Sequence, residues 1–315
     1  MPNLEQFVDF NPEKEIPPLD GKVVFITGGT AGLGRATLIA LAQHGPAHIY
    51  FTGRNNEAAE SLISEVKKDS PGVAMTFVKV DMTSLVSVKK ACAKFIHDRL
   101  DVLICNAGVM FIPAGVSEDG FELHFAINHL AHAVIVQELL PVMETTAQQP
   151  KSDVRVLFLT STAWASHPRN GITFDTLKTA QKGFMGSMFR YGQSKLANIV
   201  YAAELARRYS TTDIKFISVH PGPVKTTLAT SVSLWHSLFL SVYFWFTGVS
   251  MMEISQGRLS QLWAAAGAKG NDLVNGGFYM PVGRLSNDRL DTTAKSLKLA
   301  TDLWNYTQDV LARVT

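Results

Sequence analysis

Tyr191 and Lys195 stand four residues apart in YGQSKLANIVYAAELARRY, a stretch with helical spacing. At i and i+4 they share one helix face. A free phenol has a pKa of about 10, a poor match to acid–base work near neutrality. An ammonium beside it favours the phenolate and lowers that value. The pair therefore suits proton delivery to a developing alkoxide, or proton removal from an alcohol. Tyr-x-x-x-Lys alone is common, and a structural helix pair is the plain alternative. Two more polar groups extend the set. Ser161 closes the apolar run VRVLFLTS, and its hydroxyl can hydrogen-bond a carbonyl oxygen. Asn128 lies in FELHFAINHLAHAVIVQELL, where a polar amide on an apolar face needs a partner.

These groups need a scaffold and a reaction partner. From Lys22 onward, short apolar runs alternate with helical periods: KVVFIT, AHIYFTG, VAMTFVKVD, DVLIC, VRVLFLTS, KFISVHPG and GGFYM read as strands. Asn55 is a plausible cap for the helix NNEAAESLISEVKKD. Strands alternating with helices predict a parallel sheet with helices on both faces, and continuous apolar strands agree. The first strand ends in TGGTAGLG, with Gly28, Thr30, Gly32, Leu33 and Gly34. A strand passing through glycines into a helix lets a backbone approach a pyrophosphate, and the helix N-terminus favours its charge. The spacing is G-x-x-x-G-x-G rather than G-x-G-x-x-G. After the second strand come Gly53 and Arg54, where an NAD-specific site would place a carboxylate. A guanidinium suits a 2′-phosphate, so the sequence predicts NADP(H). Asn106, Ala107 and Gly108 follow the strand DVLIC and fall at the same end of the sheet.

Taken together, TGGTAGLG, VDMTS, CNAG, the Asn of AINHLAH, the Ser of LTSTA, YGQSK and HPGPVKT resemble the short-chain dehydrogenase/reductase family. They occur in family order from about Lys22 to Thr227. The resemblance implies a single-domain Rossmann-type doubly wound α/β sheet of about seven strands, with a small substrate-binding cap at about 228–256. It implies a tetrad of Asn128, Ser161, Tyr191 and Lys195. It places Asp81 and the Met82 backbone beside an adenine, and Pro221, Gly222, Val224 and Thr226 over a nicotinamide carboxamide. It also implies a water-linked proton relay through the helix backbone at Asn128. AINHLAH, YGQSKLAN and LATDLWNYTQ are similar to the subgroup containing retinol dehydrogenases. That points to a lipophilic ketone, aldehyde or alcohol; secondary metabolites, steroids, retinoids and fatty aldehydes all fit. Two other readings on the same fold are a non-redox cyclase or isomerase, against which the complete tetrad argues, and an NADP(H)-binding regulator, for which the sequence offers nothing positive.

Other function classes find less support. A net charge of +2 is too small to argue for a polyanionic partner, and without a Lys/Arg block no nucleic acid is expected. His124, His129 and His132 have no convincing metal spacing, so no metal is expected. There is no G-x-S-x-G elbow. Cys92 and Cys105 lie in apolar segments and read as core thiols of a cytoplasmic protein. Residues 1–20 read as an irregular arm without a signal peptide, and 21–315 as one domain. The insert WASHPRNGITFDTLKTAQKGFMGSMFR reads as substrate-pocket rim, with His167 a rim residue. The uncharged run containing LWHSLFLSVYFWFTG is long enough to span a bilayer. It is read instead as cap helices turned to a lipophilic substrate, with peripheral membrane contact as the second reading. Monomer and homodimer are equally compatible with the sequence.

Overall fold

The computed structural model describes residues 8–183, 185–224 and 251–314. The cap segment Leu234–Gly248 and Thr226 lie outside the described residues, as does most of the stretch expected as cap. Eight strands form one sheet: β1 (Val23–Ile26), β2 (His48–Gly53), β3 (Ala74–Lys79), β4 (Val102–Cys105), β5 (Val154–Leu159), β6 (Ile214–Val219), β7 (Phe278–Met280) and β8 (Arg284–Leu285). Their order is β3-β2-β1-β4-β5-β6-β7-β8. All pairings are parallel except β7 with β8, which is antiparallel. The eighth strand is an addition to the seven expected. It is only two residues long, too short to carry a period.

The chain order reverses between β1 and β4, the switch point at which α/β sheets open a crevice beyond their strand ends. Strand alternation divides the core. Val23 and Phe25 face one layer, and Val24 and Ile26 the other. The first layer holds α4 (Leu85–Cys92), α6 (Ala131–Ala147), α7 (Gly186–Arg208) and α9 (Leu297–Leu311). The second holds α2 (Gly32–Ala42), α3 (Asn56–Asp69) and α8 (Ile254–Leu262). Each fully buried Leu or Phe in these layers contributes about 1.5–3 kcal/mol. Asn55 caps α3, its side chain accepting from Ala58 N at 3.1 Å.

Two elements differ from expectation. The N-terminal arm contains a one-turn helix, α1 (Pro12–Glu15), capped by Asn11. Phe10, Ile16 and Leu19 on either side are buried in the second layer, so the described part of the arm is packed. The segment FELHFAINHLAHAVIVQELL is not one regular helix. It comprises α5 (Leu123–Phe125), a π-turn (Ala126–Leu130) and α6. Among the described residues, the continuous stretch Leu123–Ala147 is the one helix long and apolar enough to cross a membrane. Its apolar window is 72% buried inside the fold.

Candidate active site

A cleft of about 320 Å³ opens at the carboxyl ends of the strands. Its floor is the turn after β1, where the lining includes Gly28, Thr30, Gly32, Leu33 and Gly34. Gly28 and Gly32 have φ of +66° and +55°, which favours glycine. Gly34 is needed for space. A Cβ there would lie 2.3 Å from Gly28 O and 2.5 Å from Asn106 Nδ2. Gly53 is similar, since its Cβ would meet Thr30 Oγ1 at 2.7 Å. These glycines make a cradle that admits a ligand against bare backbone.

The predicted site residues are largely brought together. Arg54, Asp81, Met82, Asn106, Ala107, Gly108, Tyr191, Lys195 and Pro221 all line this cleft. Arg54 is exposed and has no ion pair or hydrogen bond among the described residues. The Asp81 carboxylate accepts from Thr83 N at 2.9 Å and Thr83 Oγ1 at 2.8 Å. Asn106 lines the cleft, but its amide is engaged inward. Nδ2 donates to Thr27 O at 2.8 Å, and Oδ1 accepts from Gln261 Nε2 at 3.2 Å. Gly222 and Val224 stand behind the lining. A Cβ on Gly222 would meet Met252 Sδ at 2.6 Å, and Val224 packs against Gly257 of α8.

Tyr191 and Lys195 sit in the second and third turns of α7, each 5% exposed. Lys195 Nζ donates to Leu159 O at 3.0 Å and lies 5.7 Å from the Tyr191 ring centre. Burial pushes the phenol up to about 12, opposed by the Ser161 hydroxyl within hydrogen-bonding reach. Burial lowers the ammonium to about 8. The expectation that Lys195 depresses the Tyr191 pKa is therefore not met in this structure. Desolvation of the phenolate outweighs an ammonium that is itself desolvated and held by a carbonyl. At neutral pH the pair is a protonated phenol beside a charged amine, a set ready to donate.

Ser161 follows Thr160, a lining residue, and starts the 3-10 turn Thr162–Ser166, its Oγ accepting from Ala163 N at 3.2 Å. Asn128 does not line the cleft. It is fully buried in the π-turn. Its Oδ1 accepts from Val109 N at 2.8 Å, and its Nδ2 donates to Val109 O and to Ser194 Oγ at 3.0 and 2.9 Å. The side chain is thus a clamp between the loop after β4 and α7, which leaves the backbone as its route to chemistry.

Several contributors escaped the sequence reading. Thr27 Oγ1 accepts from Asn106 N at 2.9 Å and Ala107 N at 2.8 Å. Gln261 links Thr37 of α2 to Asn106. Arg190 holds the rim insert, donating to Gln181 O at 2.9 Å and pairing with buried Glu122 at 3.3 Å. Gln193, in the YGQSK run, accepts from Thr173 and donates to Gln181. The only sequence signal for these was a polar residue beside apolar ones, at a strand end for Thr27 and on helices for Arg190, Gln193 and Gln261. His167 pairs with Asp291 at 2.9 Å and does not line the cleft.

The short chain dehydrogenase family model matches residues 22–237. An uncharacterized oxidoreductase of Schizosaccharomyces pombe is 31% identical over 290 residues, covering 89% of this chain and 84% of the relative. Mouse (Mus musculus) retinol dehydrogenase 12 is 32% identical, covering 93% of this chain and 87% of the relative. A crystal structure of an uncharacterized protein from Mycobacterium paratuberculosis is similar with a TM-score of 0.73 at 25% identity. That match covers 96% of this chain and 97% of the other.

Proposed function

Because the chain belongs to the short-chain dehydrogenase/reductase family, we propose that it transfers hydride between NADP(H) and the carbonyl or alcohol carbon of a lipophilic substrate. One observation carries the reading: Tyr191 and Lys195 line the same cleft as the glycine cradle. The cradle, the free Arg54 and the Asp81–Met82 edge fit the pyrophosphate, a 2′-phosphate and the adenine of a dinucleotide. When bound, the nicotinamide supplies or accepts the hydride.

The chain's own groups handle the proton. Tyr191 donates its phenolic proton to the developing alkoxide in reduction and takes it back in oxidation. Ser161 orients and polarises the carbonyl oxygen. Lys195 stabilises the phenolate once formed and would hold ribose hydroxyls. The backbone at Asn128 supports the water-linked path by which Tyr191 is reprotonated. Asn106, Ala107, Gly108 and Pro221 would shape the nicotinamide end, and the family resemblance adds Gly222, Val224 and Thr226 over the carboxamide. The retinol named for the mouse relative supports a lipophilic substrate, and the cap at about 228–256 would receive it. Cys92 and Cys105 are buried free thiols, which supports a reducing, cytoplasmic setting.

The test is Tyr191→Phe, assayed with NADPH on a panel of retinoid, steroid and straight-chain aldehydes and ketones. Turnover should vanish while NADPH binding, followed by its fluorescence, stays intact. Turnover by the variant at the wild-type rate would sink the reading. A wild-type protein that binds NADPH tightly but reduces nothing would favour the regulatory alternative.

A further inference from the structure

His132 is fully buried in the first turn of α6, four residues past Asn128. Both of its ring nitrogens are engaged. Nδ1 lies 3.0 Å from the Asn128 carbonyl oxygen, and Nε2 lies 2.9 Å from Thr27 Oγ1. The neighbours decide the tautomer. A carbonyl can only accept, so Nδ1 carries the hydrogen. Nε2 then presents a lone pair and accepts the Thr27 hydroxyl proton. Thr27 Oγ1 in turn accepts from Asn106 N and Ala107 N. One chain of hydrogen bonds therefore runs from the cleft-lining Asn106 and Ala107, through Thr27 and His132, to the carbonyl of Asn128.

We propose that His132 is a positioning residue that ties the nucleotide floor to the catalytic wall, fixing where the Asn128 carbonyl points. The π-turn explains the need for it. A π-turn widens the helix around Ala126–Leu130 and loosens the regular pairing of its carbonyls. The imidazole supplies a donor to one of them from the side. It also anchors that donor to Thr27, which follows β1 beside the cleft. The Asn128 side chain then clamps Val109 and Ser194 from the same point. Among the described residues no carboxylate acts on the ring; burial pushes it down to about 4, opposed by the Asn128 carbonyl and helped by the Lys195 ammonium. The ring thus acts as a fixed neutral bridge with one donor and one acceptor, and not as a proton carrier.

The inference rests on the proposed relay through Asn128, and its test separates the two. Histidine-selective 15N NMR of the full-length protein, with the His132→Phe spectrum to assign the signal, reads the bridge without any turnover. Wild-type His132 should remain the neutral Nδ1–H tautomer from about pH 8 down to about pH 5. An Nε2–H tautomer, or titration near the free value, would overturn the proposal. Kinetics read its consequence on the fastest carbonyl of the panel. His132→Phe should lower kcat by about tenfold or more with KM for NADPH within about threefold. His132→Asn, whose amide keeps the donor toward the Asn128 carbonyl but cannot reach Thr27, should recover only part of that loss. A kcat within about twofold of wild type for either variant would refute it. If Tyr191→Phe stays active, the functional reading fails instead, whatever the NMR shows.

Discussion

Gly192→Ala separates two effects that usually travel together. Gly192 lies inside α7, directly after Tyr191. By helix propensity alone, alanine there should stabilise the helix by about 1 kcal/mol. The structure reverses that sign. A Cβ would stand 2.7 Å from Ser166 O, 2.8 Å from Ser166 C and 2.9 Å from Ala163 O. All three are backbone atoms of the turn that Ser161 starts, so no side chain can swing aside. Bringing the nearest oxygen from 2.7 Å to ordinary contact at 3.4 Å requires the helix or turn to give by about 0.7 Å. Overpacking of this kind costs about 1–3 kcal/mol, which offsets the propensity gain. The function suffers more, because the displacement separates Tyr191 from Ser161. A misplacement near 1 Å costs about 100-fold, so kcat should fall roughly 10- to 100-fold. The floor of the cleft is on other elements, so NADPH affinity should hold. Stopped-flow turnover with fluorescence titration of NADPH, beside a melting curve, measures all three. A variant with unchanged kcat and a raised Tm would refute the steric reasoning.

Arg54→Ala should lower the NADPH-over-NADH preference in kcat/KM by about tenfold, the scale of one exposed charge-assisted contact set. Unchanged preference would reassign Arg54 to the solvated surface. Stability should be complete above about pH 6.5 and fall as pH drops toward about 4. His129, His132 and His220 are held by burial at about 3, about 4 and about 4, so the unfolded chain binds protons first in that window. Each contributes at most about 1.4 kcal/mol per pH unit, and a Tm flat from pH 6.5 to 4.5 would contradict it. Asp101→Asn should destabilise by about 3–5 kcal/mol in urea titrations. The buried carboxylate accepts from Lys22, from both arms of Arg99 and from Val23 N, and an amide can satisfy only part of that set.

Strands were legible wherever apolar runs were continuous, as in VRVLFLTS, since strands buried on both faces need no period. The cradle was legible because glycine marks a place where a side chain cannot go, and Gly34 and Gly53 bear this out. Asn128 was visible as a polar residue on an apolar face, but its clamp on Val109 and Ser194 was not. Partners lying 19 and 66 residues away leave no local trace. The π-turn was hidden for a related reason: AINHLAH has helical composition, and no residue type in it marks where the extra residue is taken up. The raised phenol was misread because charge proximity is visible in Tyr-x-x-x-Lys, whereas the depth of burial is not.

A π-turn holds one residue more than an α-helix of the same rise. Removing one residue between Ala126 and Leu130 would thus be an unusual deletion, one that restores regular pairing. Because the turn already absorbs that residue, the helical segments on either side would keep their phase, and only the local widening at Ala126–Leu130 would go. Composition, hydropathy and helix content would all survive such an edit. What would be lost is the widened turn itself, in which the Asn128 side chain reaches Val109 and Ser194. For this segment, chain length is as strict a specification as residue identity.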